Sequence, residues 1–347
     1  MGTILLSPSG KAVESSAGET VLETLERAGY ALQNNCRAGA CGECKVKVTR
    51  GEFDQGMVLD MALSPAEREE GYGLMCMAKP LTDEIEIEWG TEDAQPKLFP
   101  PTENIRCVVT DRIERTPRIM ELRIRPVGKQ MRYWPGQYVM INDVERKVTA
   151  RCYSIANAPT NDGEIVLQIT RVPEGETSNW AHDNLFPGSM LNMSGPYGTF
   201  IGDPSTDGPV LCLVAGTGLA PILGLTDAAL RRGFKQQVHL LFSGKKEEDI
   251  YCRGLLEFWN AKHRRFKFIP TLTQEEKEGY HHGRIPAILG DLYKDLSRHS
   301  IYIAGSPEFV DACAAAAREL GAQEDMIHSE GFFDQALPVA PDSERLV

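Results

Sequence analysis

Four cysteines in the first quarter of the chain set the tightest limit on what it can fold into. Cys36, Cys41 and Cys44 form C-x4-C-x2-C, and Cys76 follows after thirty-one intervening residues. Soft thiolates at this spacing wrap one face of a [2Fe–2S] cluster and leave the fourth bond to a distant loop. Gly39 and Gly42 lie between the ligands. Without a β-carbon at these points the loop can close tightly and aim backbone N–H groups at the sulfides. The alternative is a four-thiolate zinc site, which usually draws on paired C-x2-C units. The other five of the nine cysteines, Cys107, Cys152, Cys212, Cys252 and Cys313, are scattered singly through core-like segments and read as small buried apolar residues. An odd count in a 347-residue chain argues against a secreted disulfide framework.

Patterning along the chain gives a multidomain protein. Residues 1–92 form a small α+β unit: strand alternation at Thr3–Leu6, helical spacing at Val21, Leu22, Leu25 and Ala28 stopped by Gly29, a strand at Lys45–Thr49, and a last alternation at Ile85, Ile87 and Trp89. Residues 93–102, with Pro96, Pro100 and Pro101, are a polar linker that would let the first unit move. Residues 103–204 are rich in β-branched residues, with turns at Pro117, Pro135-Gly136, Asn161-Asp162-Gly163 and Pro187-Gly188, which predicts an antiparallel β-barrel. From 205 to 335 strand, Gly-rich turn and helix alternate, as in a parallel α/β sheet. Residues 336–347 predict a disordered tail.

A formal charge of −12 lacks the footprint of a nucleic-acid binder and would be repelled by an anionic membrane. No apolar run is long enough to span a bilayer, and the first ten residues do not resemble a signal peptide, so the expected location is the cytoplasm. His281-His282, between Gly279 and Gly283, is expected to be a surface turn rather than a metal site.

CRAGACGEC with the later Cys76 resembles a plant-type ferredoxin domain, which implies a β-grasp fold and cluster ligation by Cys36, Cys41, Cys44 and Cys76. Further on come Arg151-Cys152-Tyr153-Ser154-Ile155 and Gly175-Glu176-Thr177-Ser178-Asn179-Trp180. A flavin dinucleotide needs a cation and backbone donors for its pyrophosphate, a flat neighbour for its ring and a hydrogen-bond donor near N5. These segments supply all three. Pro135-Gly136-Gln137-Tyr138 lies upstream and Gly195-Pro196-Tyr197-Gly198 downstream, an order that resembles the ferredoxin–NADP reductase superfamily. The resemblance implies that Arg151 binds the FAD pyrophosphate, Tyr153 lies against the isoalloxazine and Ser154 approaches N5. It also implies that Ser178 and Asn179 hold phosphate at a helix start, with Ile155, Gly175 and Thr177 completing the site. FMN is the alternative flavin.

Ala215-Gly216-Thr217-Gly218-Leu219-Ala220-Pro221 joins an apolar strand to a helix and frees backbone N–H groups for a pyrophosphate, with Pro221 in the first turn. Ile301–Pro307 resembles the nicotinamide-side segment of the same superfamily, with Ala304, Gly305 and Pro307 as site residues; many members carry Cys-Gly where this chain has Ala304-Gly305. His328-Ser329-Glu330-Gly331-Phe332 resembles the terminal segment bordering the flavin, so Glu330 and Phe332 join Ser154 and Tyr153 as catalytic candidates, with Phe333 competing for the aromatic role. Lys245-Lys246 could meet a 2′-phosphate, but Glu247, Glu248 and Asp249 oppose it, which favours NADH.

The order ferredoxin, flavin barrel, nicotinamide domain resembles the NADH-dependent reductase components of ring-hydroxylating dioxygenases and multicomponent monooxygenases. It implies hydride transfer to FAD and single-electron delivery through the cluster to a terminal oxygenase, a hydroxylase or its electron-transfer ferredoxin. The same cofactor chain could serve deoxysugar biosynthesis or a cytochrome P450, and a non-catalytic redox sensor is the alternative from another class.

Overall fold

A computed structural model describes residues 2–203 and 206–332; the expected tail at 336–347 and Phe333 lie outside them. The first sheet runs in space Lys11–Ser15, Gly2–Ser7, Glu84–Glu88, Lys45–Arg50, Tyr72–Leu74. Gly2–Ser7 pairs parallel with Glu84–Glu88, the mark of a β-grasp, and the Val21–Arg27 helix packs on the sheet. Thr20 caps that helix with a reciprocal box to Glu23, and Gly29 leaves it at φ +82. Ile85 and Ile87 are buried while Glu84 and Glu88 face water, the period-2 pattern of a half-buried strand.

Six antiparallel strands form the second sheet, in the order Arg151–Ser154, Tyr138–Asn142, Met190–Tyr197, Thr102–Thr116, Ile119–Pro126, Ile165–Thr170. An isolated bridge between Ile155 and Leu167 joins its two ends and closes the barrel. The third sheet is parallel throughout: His281–His282, Phe266–Leu272, Val238–Gly244, Val210–Ala215, Ser300–Gly305, Ile327–Gly331. Helices Leu219–Arg231, Arg253–Lys262, Ile285–Leu292 and Pro307–Glu319 cover it. Its central strand, Val210–Ala215, pairs on one side with the next strand in sequence and on the other with Ser300–Gly305. That reversal is the topological switch point where ligands of such sheets bind.

Three expectations are corrected. His281-His282 is not a turn but a two-residue edge strand paired with Thr271-Leu272, although both histidines stay exposed. Of the five scattered cysteines, Cys107, Cys212 and Cys313 are buried, whereas Cys152 and Cys252 are only half-buried. Cys252 caps a helix at φ +54, and Cys152 faces a cavity. The 93–102 segment is pinned rather than loose: Lys97 and Leu98 N–H donate to the Gly29 carbonyl at 2.7 and 2.9 Å, and Phe99 stacks on Trp134 with ring centroids 5.3 Å apart. Phe99 supplies the apolar anchor that a proline-rich reading overlooks. No helix among the described residues is long and apolar enough to cross a membrane.

Candidate functional site

The loop from Cys36 to Cys44 is built around sulfur. Arg37, Gly39 and Gly42 adopt φ of +53, +67 and +81, and a β-carbon on Gly39 would lie 2.9 Å from Val58 Cγ1. This curl turns the backbone N–H groups of Ala38, Ala40 and Cys41 toward Cys36 Sγ at 3.4, 3.4 and 3.3 Å. The Cys76 N–H donates to Cys44 Sγ at 3.4 Å. The Cys41 thiol, with those backbone donors, holds the Cys36 thiol below the usual thiol range.

The four sulfurs stand as two hydrogen-bonded pairs, Cys36 with Cys41 and Cys44 with Cys76. Among the described residues no three ligands converge on a point where a single ion could sit. Four soft sulfur donors flanked by backbone N–H groups fit the chemistry of an iron–sulfur cluster, which Cys36, Cys41, Cys44 and Cys76 would hold.

A cavity of about 670 Å³ opens beside this loop, and Cys36 is part of its wall. That volume is in the range of roughly 300–1,000 Å³ typical of cofactor sites. Arg151, Cys152, Tyr153 and Ser154 line it from the barrel, and Thr217 and Ser306 from the switch point of the parallel sheet. Arg151 forms no ion pair among the described residues and bonds the Ala150 carbonyl at 3.3 Å; Arg118, also in the wall, likewise lacks an ion pair. Two such cations beside a helix start match a pyrophosphate. Arg118 follows Pro117 in a hairpin, so the sequence marked only a turn there.

Gly175 caps the Glu176–Asn184 helix without any side-chain bond, which leaves the first-turn N–H groups available. Thr177 donates to the Thr149 carbonyl at 2.5 Å, and Ser178 accepts from the Val172 N–H at 3.1 Å. Both line the cavity, while Asn179 turns away to the Val172 carbonyl at 3.2 Å. The backbone of this turn, more than its side chains, faces the cavity. Ile155 is fully buried behind the wall, where its bridge to Leu167 closes the barrel.

Ser154 Oγ donates to Glu330 Oε1 at 3.2 Å, and Glu330 Oε2 is buried with no hydrogen-bond partner. Burial pushes this carboxyl up to about 8, against the Ser154 hydrogen bond that lowers it. Burial therefore favours the protonated carboxyl, whose partnerless Oε2 can then donate. Phe332 follows in the wall, its N–H bonded to the Gly305 carbonyl at 2.8 Å.

The Gly216-Thr217-Gly218 turn meets the Ala304-Gly305 segment directly. A β-carbon on Gly218 would lie 2.1 Å from the Ala304 carbonyl oxygen, so only glycine allows this approach. Thr217 lines the cavity, whereas Gly216, Gly218, Pro221, Ala304, Gly305 and Pro307 do not. Pro307 opens a helix whose cap, Ser306, also lines the wall. Asn35, Tyr138 and Gln168 complete the enclosure. Of these, Tyr138 carried a signal, the Pro135–Tyr138 motif.

Three family models match in chain order: a 2Fe-2S iron-sulfur cluster binding domain over residues 4–81, an oxidoreductase FAD-binding domain over 105–201 and an oxidoreductase NAD-binding domain over 212–315. The aromatic O-demethylase reductase subunit of Amycolatopsis sp. is 32% identical over 95% of this chain and 98% of its own. The chain belongs to the family of iron–sulfur flavoprotein reductases. The phenol 2-monooxygenase reductase component of Pseudomonas sp. is 30% identical over 96% of this reductase and 95% of its own length. In three dimensions an Amycolatopsis cytochrome P450 reductase superposes with a TM-score of 0.88 at 28% identity, covering 97% of this chain and all of that one.

This reductase is an oxidoreductase with [2Fe–2S], FAD and NADH as cofactors. When bound, FAD takes the two electrons of a hydride and releases them singly to the cluster. Replacing Arg151 by alanine is expected to weaken FAD retention by about 10- to 100-fold, the worth of charge-assisted hydrogen bonds at roughly 1.5–3 kcal/mol. Flavin and iron quantified on one sample check this: iron should be unchanged.

Proposed function

We propose that this reductase delivers electrons from NADH to a terminal oxygenase or hydroxylase component, or to that component's ferredoxin, in the cytoplasmic breakdown of aromatic compounds. The observation that carries the reading is that Cys36, Ser154 and Thr217 line one cavity. Groups assigned to cluster, flavin and nicotinamide thus share a wall. The acceptor class follows from relatives named as reductases of an aromatic O-demethylase and a phenol monooxygenase. In the proposed division, 1–92 carries the cluster, 103–204 the flavin and 205–335 the nicotinamide, with 93–102 between the first two.

Each group then has a role. Arg118 and Arg151 hold the pyrophosphate, the turn at Gly175 offers backbone donors, and Tyr153 flanks the ring. Ser154 with neutral Glu330 holds a proton at the flavin edge, and Phe332 covers that edge from water. The Gly216–Gly218 turn receives the dinucleotide phosphates.

NADH is preferred in this reading because Asp249 occupies the turn after Val238–Gly244. Its carboxylate accepts the N–H groups of Lys245 and Lys246, both at 3.0 Å, where a 2′-phosphate would need donors. Asp249→Asn is expected to raise kcat/KM for NADPH roughly fivefold to tenfold by removing one like charge. Steady-state assays with both cofactors decide it.

A cytochrome P450 as the oxygenase is the second reading, favoured by the full-length superposition on an Amycolatopsis cytochrome P450 reductase. The test is anaerobic NADH reduction followed by mixing with purified aromatic oxygenase, hydroxylase and P450 components. Rapid reoxidation of the cluster by one of them supports the reading; bleaching by NADH with no reoxidation by any sinks it.

A further inference from the structure

Three motifs each contain one residue to which no role in holding the cluster or the flavin has been given. These are Arg37 in CRAGACGEC, Tyr138 in the Pro135–Tyr138 turn and Tyr197 in Gly195–Gly198. The structure brings them together. Arg37 directly follows the ligand Cys36, and its side chain is only 13% exposed. Its Nη1 bonds both oxygens of buried Glu26, at 2.6 and 2.7 Å. Its guanidinium carbon also lies 4.3 Å from the centroid of the Tyr197 ring. Tyr197 packs against Tyr138 at 5.8 Å, Tyr138 Oη donates to Asn34 Oδ1 at 2.8 Å, and Asn34 Nδ2 reaches Glu26 Oε1 at 3.4 Å.

The result is a closed ring of five side chains. Glu26, Asn34 and Arg37 come from the cluster unit; Tyr138 and Tyr197 come from the barrel. A second tie runs from Asn35 Nδ2 to the Gly331 carbonyl, next to Glu330. Asn35, Cys36 and Tyr138 all line the flavin cavity. A buried ion pair contributes little net stability after desolvation, but it enforces geometry, because either partner left alone is a buried unpaired charge. Arginine suits the position: its planar cation can meet a carboxylate at one edge while its face lies on an aromatic ring.

We propose that Arg37 is a positioning residue for electron transfer inside the molecule: clamped between Glu26 and the Tyr197 ring, it holds the Cys36 side of the cluster loop against the flavin cavity. The step it serves balances simply. NADH becomes NAD+ by giving two electrons and one proton to the flavin as hydride, and one electron then converts one Fe(III) of the cluster to Fe(II). The inference rests on this internal path and not on the identity of the acceptor, so failure of the acceptor reading would leave both internal phases intact.

The test mixes full-length holoprotein anaerobically with NADH and follows flavin and cluster bleaching separately. The double variant Glu26→Gln/Arg37→Gln removes the pair without orphaning a charge. Flavin reduction should keep its rate, while cluster reduction slows by about 10- to 100-fold, the scale of an ångström-level misplacement. Iron content and the cluster's reduction potential should stay at wild-type values, and Arg37→Lys, which keeps a cation beside Glu26, should recover most of the rate. Tyr197→Leu removes the aromatic platform without touching the cluster loop and should slow the same phase. Wild-type cluster reduction in the double variant with full iron overturns the proposal. So does loss of iron in the double variant together with unaltered transfer in Tyr197→Leu, which would make Arg37 a folding residue alone.

Discussion

Serine in place of Cys76 is expected to strip the protein of iron and of its cluster absorption while leaving FAD bound. Cys76 is 8% exposed, in a loop tied to the first helix by the N–H groups of Val21 and Leu22 bonding the Ala78 and Met75 carbonyls, both at 2.9 Å. Its N–H donates to Cys44 Sγ at 3.4 Å, so it would be the fourth thiolate of the cluster, and a neutral hydroxyl is a poor ligand for a site of soft donors. Cytochrome c reduction, which draws on single electrons, should fall to background. Ferricyanide reduction by NADH, which the flavin supports alone, should stay near wild type. Cys107→Ala is the control: Cys107 is a fully buried barrel residue, and its loss should leave the iron untouched.

The second large effect is expected at Glu330. A buried acid raised to about 8 loses its proton as pH rises through that value, so turnover should decline there as neutral Glu330 is depleted. Glu330→Gln keeps a neutral donor but cannot exchange a proton. It should lower kcat by roughly 100-fold, the low end of acid–base contributions, and abolish the decline near pH 8. Stability moves with the same sign. The unfolded carboxyl ionises near 4.5 and the folded one near 8, so the unfolded state binds fewer protons between these values. The contribution is full below about 4.5 and is lost as pH rises toward 8. Thermal unfolding of wild type should therefore weaken across that window more than that of Glu330→Gln. Parallel pH dependence of the two proteins would show that Glu330 is ionised throughout.

Much of the molecule is legible in its residues alone. The cluster spacing, the barrel turns and the Gly216–Gly218 turn are readable because each is a local demand: a ligand of fixed softness, or a backbone conformation only glycine accepts easily. The Val21–Arg27 helix, with its Thr20–Glu23 box and Gly29 stop, is marked in the same way. Other features have no local mark. Arg118 sits in an ordinary hairpin, and Cys152 and Cys252 look like core residues until their neighbours are placed. Ile155, next to the flavin motif, proves to be a barrel closure.

The sequence by itself determined which cofactors the chain is equipped for and in what order their segments come, because ligand chemistry and turn geometry act over a few residues. Only the tertiary structure decided how those segments meet. The approach of Cys76 to Cys44, the burial of Glu330 beside Ser154 and the ring through Glu26, Arg37 and Tyr197 all depend on groups far apart in the chain. Desolvation and through-space charge have no period or spacing in a sequence; they arise when the chain closes on itself.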